Sequence, residues 1–305
     1  DGLAGQEVMS APAAEGKVEG SENSYAWLIE WNEYFSPKAL YSLQSKGIKT
    51  RVTTEPFLYD DGILRKEFAA GTIVIASQGQ PFGGKDLRAI LENTASETGI
   101  SVYGVASGMT QKGIDLGSSR IMVLEKPSVA MLSDAGSNSG DAGEIWHLLD
   151  ARFGIPVTLI PASRFSATDL NRYNVIIITG SPDIGQAGVE NLRAWNRRGN
   201  TIIGYETGNN WLARNKLAEI EFVPETADKR KEGIYTNRAN DRQARQIPGS
   251  IFQVRLDLTH PLCFGYTRPL LPVFKSTTSV AVMDQDIYSN PAVYTMPICN
   301  SDQLF

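Results

Sequence analysis

Short apolar runs alternate with stretches of helical period along most of this chain. Tyr25–Ile29, Ile48–Thr53, Gly71–Ala76 and Ile100–Val105 are continuous or nearly so, as strands buried on both faces require. Between them, Ala39, Leu40 and Leu43 recur at helical spacing after Pro37 and are stopped by Gly47. Asp86–Glu97 is amphipathic and is closed by Gly99. The alternation of strand and helix predicts a small parallel sheet covered by helices over residues 24–126. Residues 1–23, rich in Gly, Ala, Glu and Ser and without an apolar period, read as a linker.

The pattern restarts at residue 127. Ser128–Leu132 predicts a strand, Asp134–Gly140 a glycine- and serine-rich loop, and Asp141–Arg152 a helix with Ile145, Leu148 and Leu149 as its core stripe. Strands follow at Val157–Ile160, Asn174–Thr179 and Thr201–Gly204, with helices over Val189–Arg197 and from Asn209 to Ala213. Residues 225–247 are charged and aperiodic, a solvated insertion within a second domain spanning 127–305. From Ile251, short alternating runs with prolines predict β-structure completing the second sheet. The fold class expected is α/β, two tandem three-layer domains of flavodoxin or Rossmann type.

Composition narrows the function without naming it. A formal net charge of −5 and a pI near 5.3 argue against a nucleic-acid or anionic-membrane partner, since both need a basic footprint. No run approaches the ~18 apolar residues of a membrane span. Two cysteines, Cys263 and Cys299, and two histidines, His147 and His260, are too few for a structural zinc site of four close-spaced Cys/His ligands. The cysteines are either two thiols or one disulfide.

Ligands of open α/β sheets bind at the carboxyl ends of strands. Two such ends are candidates here: Thr179-Gly180-Ser181-Pro182, and Gly204-Tyr205-Glu206-Thr207-Gly208. The second has the G-x-nucleophile-x-G spacing of a nucleophile elbow, in which glycines flank a strained turn that leaves no room for side chains. Gly180, Ser181, Gly204 and Gly208 are thus the ligand-binding candidates. At the centre stands Glu206, where an active elbow holds Ser or Cys. Either the site is degenerate, with no catalytic residue and His260 and His147 as remnants, or Glu206 acts with one of those histidines. Glu144 and His147 share a helical face at metal-ligand spacing, but a single such pair is half or less of a metal site. Asp134–Asp141 could form a phosphate-binding turn, although its two acidic residues repel an anion. Trp27, Trp31 and Tyr34 could stack a sugar or belong to the core.

The elbow and the strand order resemble the class I glutamine amidotransferase-like fold, in which an elbow Cys and a His-x-Glu pair hydrolyse amides. This chain departs from that pattern at Glu206 and at Thr259-His260-Pro261-Leu262, which lacks the Glu two residues after the histidine. A second resemblance covers nearly the whole chain. Ala26–Tyr34, Gly104–Gly117, Gly140–Asp150, Ile155–Leu159, Arg172–Val175 and Thr259–Leu262 are similar to the region that follows the metallopeptidase domain in bacterial zinc carboxypeptidase-like proteins. That resemblance implies a secreted or periplasmic parent protein. It implies an accessory role beside a catalytic domain whose zinc is held by an H-x-x-E pair and a distant His. No H-x-x-E occurs in this sequence, so no metal ligand and no cofactor transfer to it. The implied partner is the catalytic domain of the same polypeptide.

Overall fold

Trp27 and Ile29 face one side of their strand, Ala26 and Leu28 the other, and all four are buried. That double burial is why the run reads as continuously apolar, and it sets the architecture of the first of two units. The structure, a computed structural model, describes residues 16–134, 136–223, 235–237, 247, 249–277 and 279–295. These fall into one unit ending at Lys126, with Arg152–Gly154, and a second made of Pro127–Ala151 and the residues from Ile155 onward.

The first unit contains β1 (Lys17–Glu19), β2 (Ala26–Ile29), α1 (Ser36–Ser45), β3 (Thr50–Thr53), β4 (Phe57–Asp60), β5 (Arg65–Phe68), β6 (Ile73–Ala76), α2 (Gly84–Thr98), β7 (Ser101–Val105), β8 (Lys112–Gly113) and β9 (Ile121–Leu124). Its six-stranded sheet runs β1-β7-β2-β6-β3-β9. The parallel sheet expected from the alternation is not what forms. β2 is antiparallel to both β6 and β7, β3 is antiparallel to both β6 and β9, and only β1 with β7 pairs in parallel. Each helix does connect strands that run the same way, β2-α1-β3 and β6-α2-β7. The two crossovers interleave, so that every gap is filled by an antiparallel strand of the other, a split β-α-β arrangement of ferredoxin-like topology. Local periodicity reports strands and helices but not this interleaving.

One face of the sheet, through Trp27, Ile29, Ile73 and Ile75, packs on Ala39 and Leu43 of α1 and on Leu87, Leu91 and Ala95 of α2. Opposite, Ala26, Leu28, Val74 and Val105 pack on Phe57, Tyr59 and Phe68, which belong to a second, three-stranded antiparallel sheet, β5-β4-β8. Lys17–Glu19, read as linker, is the strand β1. The fully buried Trp27 is core, and Trp31 packs against the same cluster, whereas Tyr34 is exposed.

The second unit opens with β10 (Val129–Ser133), α3 (Ser139–Trp146), β11 (Val157–Pro161), β12 (Val175–Ile178), α4 (Gly185–Asn196), β13 (Thr201–Gly204) and α5 (Thr207–Arg214). Its four strands are all parallel, in the order β11-β10-β12-β13. Ala130, Leu132, Ile176 and Ile178 point to one face, where Val189, Leu192 and Trp195 of α4, Trp211 and Leu212 of α5, and Phe165 and Leu170 of two 3-10 turns cover them. The stripe Ile145, Leu148 and Leu149 is not buried as expected. α3 ends at Trp146 and the chain continues through a π-helical turn, His147–Arg152, whose i→i+5 bonding puts more residues in each turn and breaks the 3.6-residue period.

The last strands, β14 (Ser250–Leu256), β15 (Leu270–Lys275) and β16 (Ala292–Tyr294), do not complete the parallel sheet. They form their own antiparallel sheet, β15-β14-β16, over a small cluster of Val254, Leu256 and Cys263. Their pattern of alternating half-buried and exposed positions is that of a sheet with one wet face, whereas a strand joining the parallel sheet would be apolar throughout. The Cys263 thiol is free and buried, and burial raises its pKa. Cys299 lies outside the described residues, as does the charged stretch 225–247 apart from Tyr235–Asn237 and Ile247. Among the described residues no helix is long and apolar enough to cross a membrane.

Candidate functional site

At the end of β13 the chain makes the sharp turn that the glycine spacing predicts. Tyr205 donates its N–H to the Ile178 carbonyl of the neighbouring β12 at 2.9 Å, Gly208 donates to Tyr205 O at 2.8 Å, and α5 begins at Thr207. Glu206, between them, has φ 45° and ψ −114°, a conformation that L-residues rarely adopt. The flanking positions leave little room for a side chain, most strictly at Gly208, where backbone is met. A Cβ on Gly208 would lie 2.1 Å from Ile178 O, and one on Gly204 would meet Asn209 Oδ1 at 2.4 Å and Leu212 Cδ1 at 2.7 Å. The elbow geometry is therefore present, with a carboxylate in the nucleophile's place.

The Glu206 side chain reaches residues far away in sequence. Its Oε1 accepts a hydrogen bond from Ser276 Oγ at 3.4 Å. The adjoining Lys275 donates to Ser279 O at 2.6 Å and to Thr277 Oγ1 at 3.2 Å, and burial lowers its pKa while the Glu206 charge opposes that fall. Asp141, in the first turn of α3, has its carboxyl raised by burial first and then by the charges of Glu206 and Glu144. Its Oδ2 is buried with no hydrogen-bond partner among the described residues. Burial, reinforced by Glu206, raises the Tyr205 phenol too. Asp141 entered the sequence reading only as an acidic residue of the Asp134–Asp141 turn, and Tyr205, Lys275 and Ser276 were not singled out. Of the last three, Tyr205 had a signal in its place inside the elbow.

The other candidates are placed elsewhere or are already engaged. His147 is exposed where α3 gives way to the π turn. His260 precedes a 3-10 turn, Pro261–Cys263, and its Nδ1 accepts from the Leu262 N–H at 3.2 Å. Among the described residues no hydrogen bond joins Glu206 to either histidine. Gly180 and Ser181 leave β12 beside the loop after β10, at the point where the strand order switches direction, and there the two loops are pinned together. Ser181 N–H donates to Gly136 O at 2.7 Å and Asn138 N–H to Thr179 O at 3.1 Å. A Cβ on Gly180 would lie 2.2 Å from Gly136 O. The loop considered as a phosphate turn has its donors committed: Ser137 N–H to Asp134 O, and Gly140 and Asp141 N–H to the capping Asn138 Oδ1. Among the described residues no three His, Cys, Asp or Glu side chains are arranged to hold a metal ion.

The Asp141 environment has a measurable consequence. The folded state holds this proton more tightly than the unfolded chain, so its contribution to stability is present at low pH and is lost as pH rises from the ordinary carboxylate value through the raised one. Asp141→Asn should therefore raise the stability of the second unit at pH 7 by a few tenths of a kcal/mol. The gain is limited because a negative charge in a first helical turn is otherwise favourable. Melting curves of both proteins at pH 7 and pH 4 test this: the advantage of the variant should shrink at the lower pH, and a constant difference would contradict it.

Comparison with protein-family models, with curated proteins and with solved structures found no match to this chain.

Proposed function

We propose that this chain is a non-catalytic accessory region of a zinc carboxypeptidase-like protein, secreted or periplasmic. On this reading it supports, or restricts access to, a metallopeptidase domain of the same polypeptide that lies outside these residues. The second unit is then a glutamine amidotransferase-like domain that has lost its triad. The observation that carries the reading is the strained elbow residue: the backbone turn of a nucleophile is kept at Glu206, but neither a thiol nor a hydroxyl stands there. The histidine in the position of the triad partner spends its Nδ1 on a local turn. The resemblance of the sequence segments between Ala26 and Leu262 supplies the identity of the parent. Antiserum raised against this chain should detect, in cells that make it, a polypeptide far larger than 33.3 kDa carrying an H-x-x-E domain. A product of 33.3 kDa would overturn the accessory reading.

Strain on a non-glycine residue also favours a second reading, an amidase-like hydrolase in which Glu206 is the reacting carboxylate, because such conformations cluster at working sites. With glutamine or a simple amide as probe, Glu206→Gln should then abolish turnover. Hydrolysis at an unchanged rate would remove this reading.

A further inference from the structure

One cleft of the second unit gathers positive charge that is only partly paired among the described residues. Arg193 and Arg197 at the end of α4, and Arg214 and Lys216 at the end of α5, line one cleft of about 540 Å³. Glu190 is the sole acidic residue among the residues lining it, and its Oε1 is taken by Arg193 Nη1 at 2.5 Å. Arg193 Nη2 is also committed, to Asn215 O at 2.6 Å. Arg214 donates to Ser181 Oγ at 2.7 Å, a neutral group that leaves its charge uncompensated. Arg197 and Lys216 make no ion pair among the described residues.

Cations at helix C-termini are favourable by ~0.3–1 kcal/mol each through the helix dipole. That explains Arg193 and Arg214, one in the last turn of each helix. It does not explain why Arg197 and Lys216, just beyond those turns, open onto the same cleft. Like charges that share one cleft repel one another. In a chain of net charge −5 that arrangement makes sense when an anion completes it.

We infer that this cleft binds a compact polyanion of the phosphate class. The Arg197 guanidinium, which has no ion pair among the described residues, can match two phosphate oxygens at once, Lys216 supplies a mobile point charge, and Arg193 and Arg214 add positive charge beside them. The volume falls in the range of small-ligand sites, room for a chain of two or three phosphoryl groups. Among the described residues no aromatic side chain lines the cleft, so recognition rests on charge rather than on stacking of a base. The inference does not depend on the accessory reading, because it uses no residue of the elbow.

Calorimetric titration of the whole chain at 0.15 M salt with tripolyphosphate, and separately with ATP, tests the inference. Saturable binding is expected, weakened at least tenfold in the double variant Arg197→Ala, Lys216→Ala, whose side chains are exposed and whose circular dichroism should be unchanged. Equal affinities for the two probes would identify the phosphate chain alone as the ligand, whereas tighter ATP would identify a phosphate borne on a nucleotide. Absence of saturable binding for both probes, or binding that survives the double substitution, would overturn the proposal.

Discussion

Trp195→Ala is expected to remove about 4–5 kcal/mol from the second unit, close to the whole stability of a marginal domain. Trp195 is 1% exposed at the centre of the cluster that joins α4 to the parallel sheet. Deleting a buried aromatic ring forfeits its transfer free energy and leaves a cavity, together ~3–5 kcal/mol. A further loss comes from its indole N–H, which serves two carbonyls at once, Leu170 O at 2.9 Å and Tyr173 O at 3.1 Å. Those carbonyls belong to the 3-10 turn that leads into β12, so the ring also fixes where the central strand begins. Trp195→Phe separates the contributions: it retains most of the packing and removes the indole donor from Tyr173 O, while Leu170 O keeps the Tyr173 N–H, for about 1–3 kcal/mol. Urea unfolding monitored on the second unit should rank the variants in that order. A loss below about 1 kcal/mol for the alanine would mean that the ring is not the keystone described here.

Gly208→Ala is expected to cost about 3 kcal/mol although it adds a single methyl group. That methyl would sit 2.1 Å from Ile178 O and 2.9 Å from Ile178 C, backbone atoms of a strand paired on both sides that cannot swing away as a side chain can. Relief requires α5 to lift from β12, which strains the Tyr205 N–H bond to the same carbonyl. Overpacking of this kind costs ~1–3 kcal/mol when side chains can adjust, and the upper end applies where they cannot. Gly143→Ala provides the contrast. Nothing lies within 4 Å of a Cβ there and the residue is helical, so the same chemical change should stabilise by ~0.5–1 kcal/mol. Thermal melts of the two variants shifting in opposite directions would support the close approach of helix and strand at the elbow; equal shifts would refute it.

These expectations mark where the sequence was readable. The run Asn174–Thr179 and the spacing Gly204-x-Glu206-x-Gly208 are local signals, and the structure places a central strand and a strained turn at them. The hairpin of β4 and β5 is also written locally, as Asp61-Gly62 between two short strands. There Asp61 Oδ1 accepts from the N–H groups of Ile63 and Leu64 and so fixes the turn. Other features had no local signature. Ser276 meets Glu206 across 70 residues, and neither segment announces the other. The burial of Asp141 depends on which elements close over α3, a property of the assembled unit and not of its local sequence.

The interleaved crossovers of the first unit bear on how it must be made. β2 and β3 do not touch in the sheet but are bridged by β6, which must enter between them, and β7 then closes on the far side of β2. On a ribosome the first β-α-β segment therefore emerges with no partner for its sheet edges and waits for residues 73–76 to clear the exit tunnel. Contacts of such long sequence separation slow the search, because loop closure is required before any pairing energy is gained. For some seconds of synthesis the apolar strand Ala26–Ile29 is exposed on both faces, which makes it the segment of this unit most in need of a chaperone.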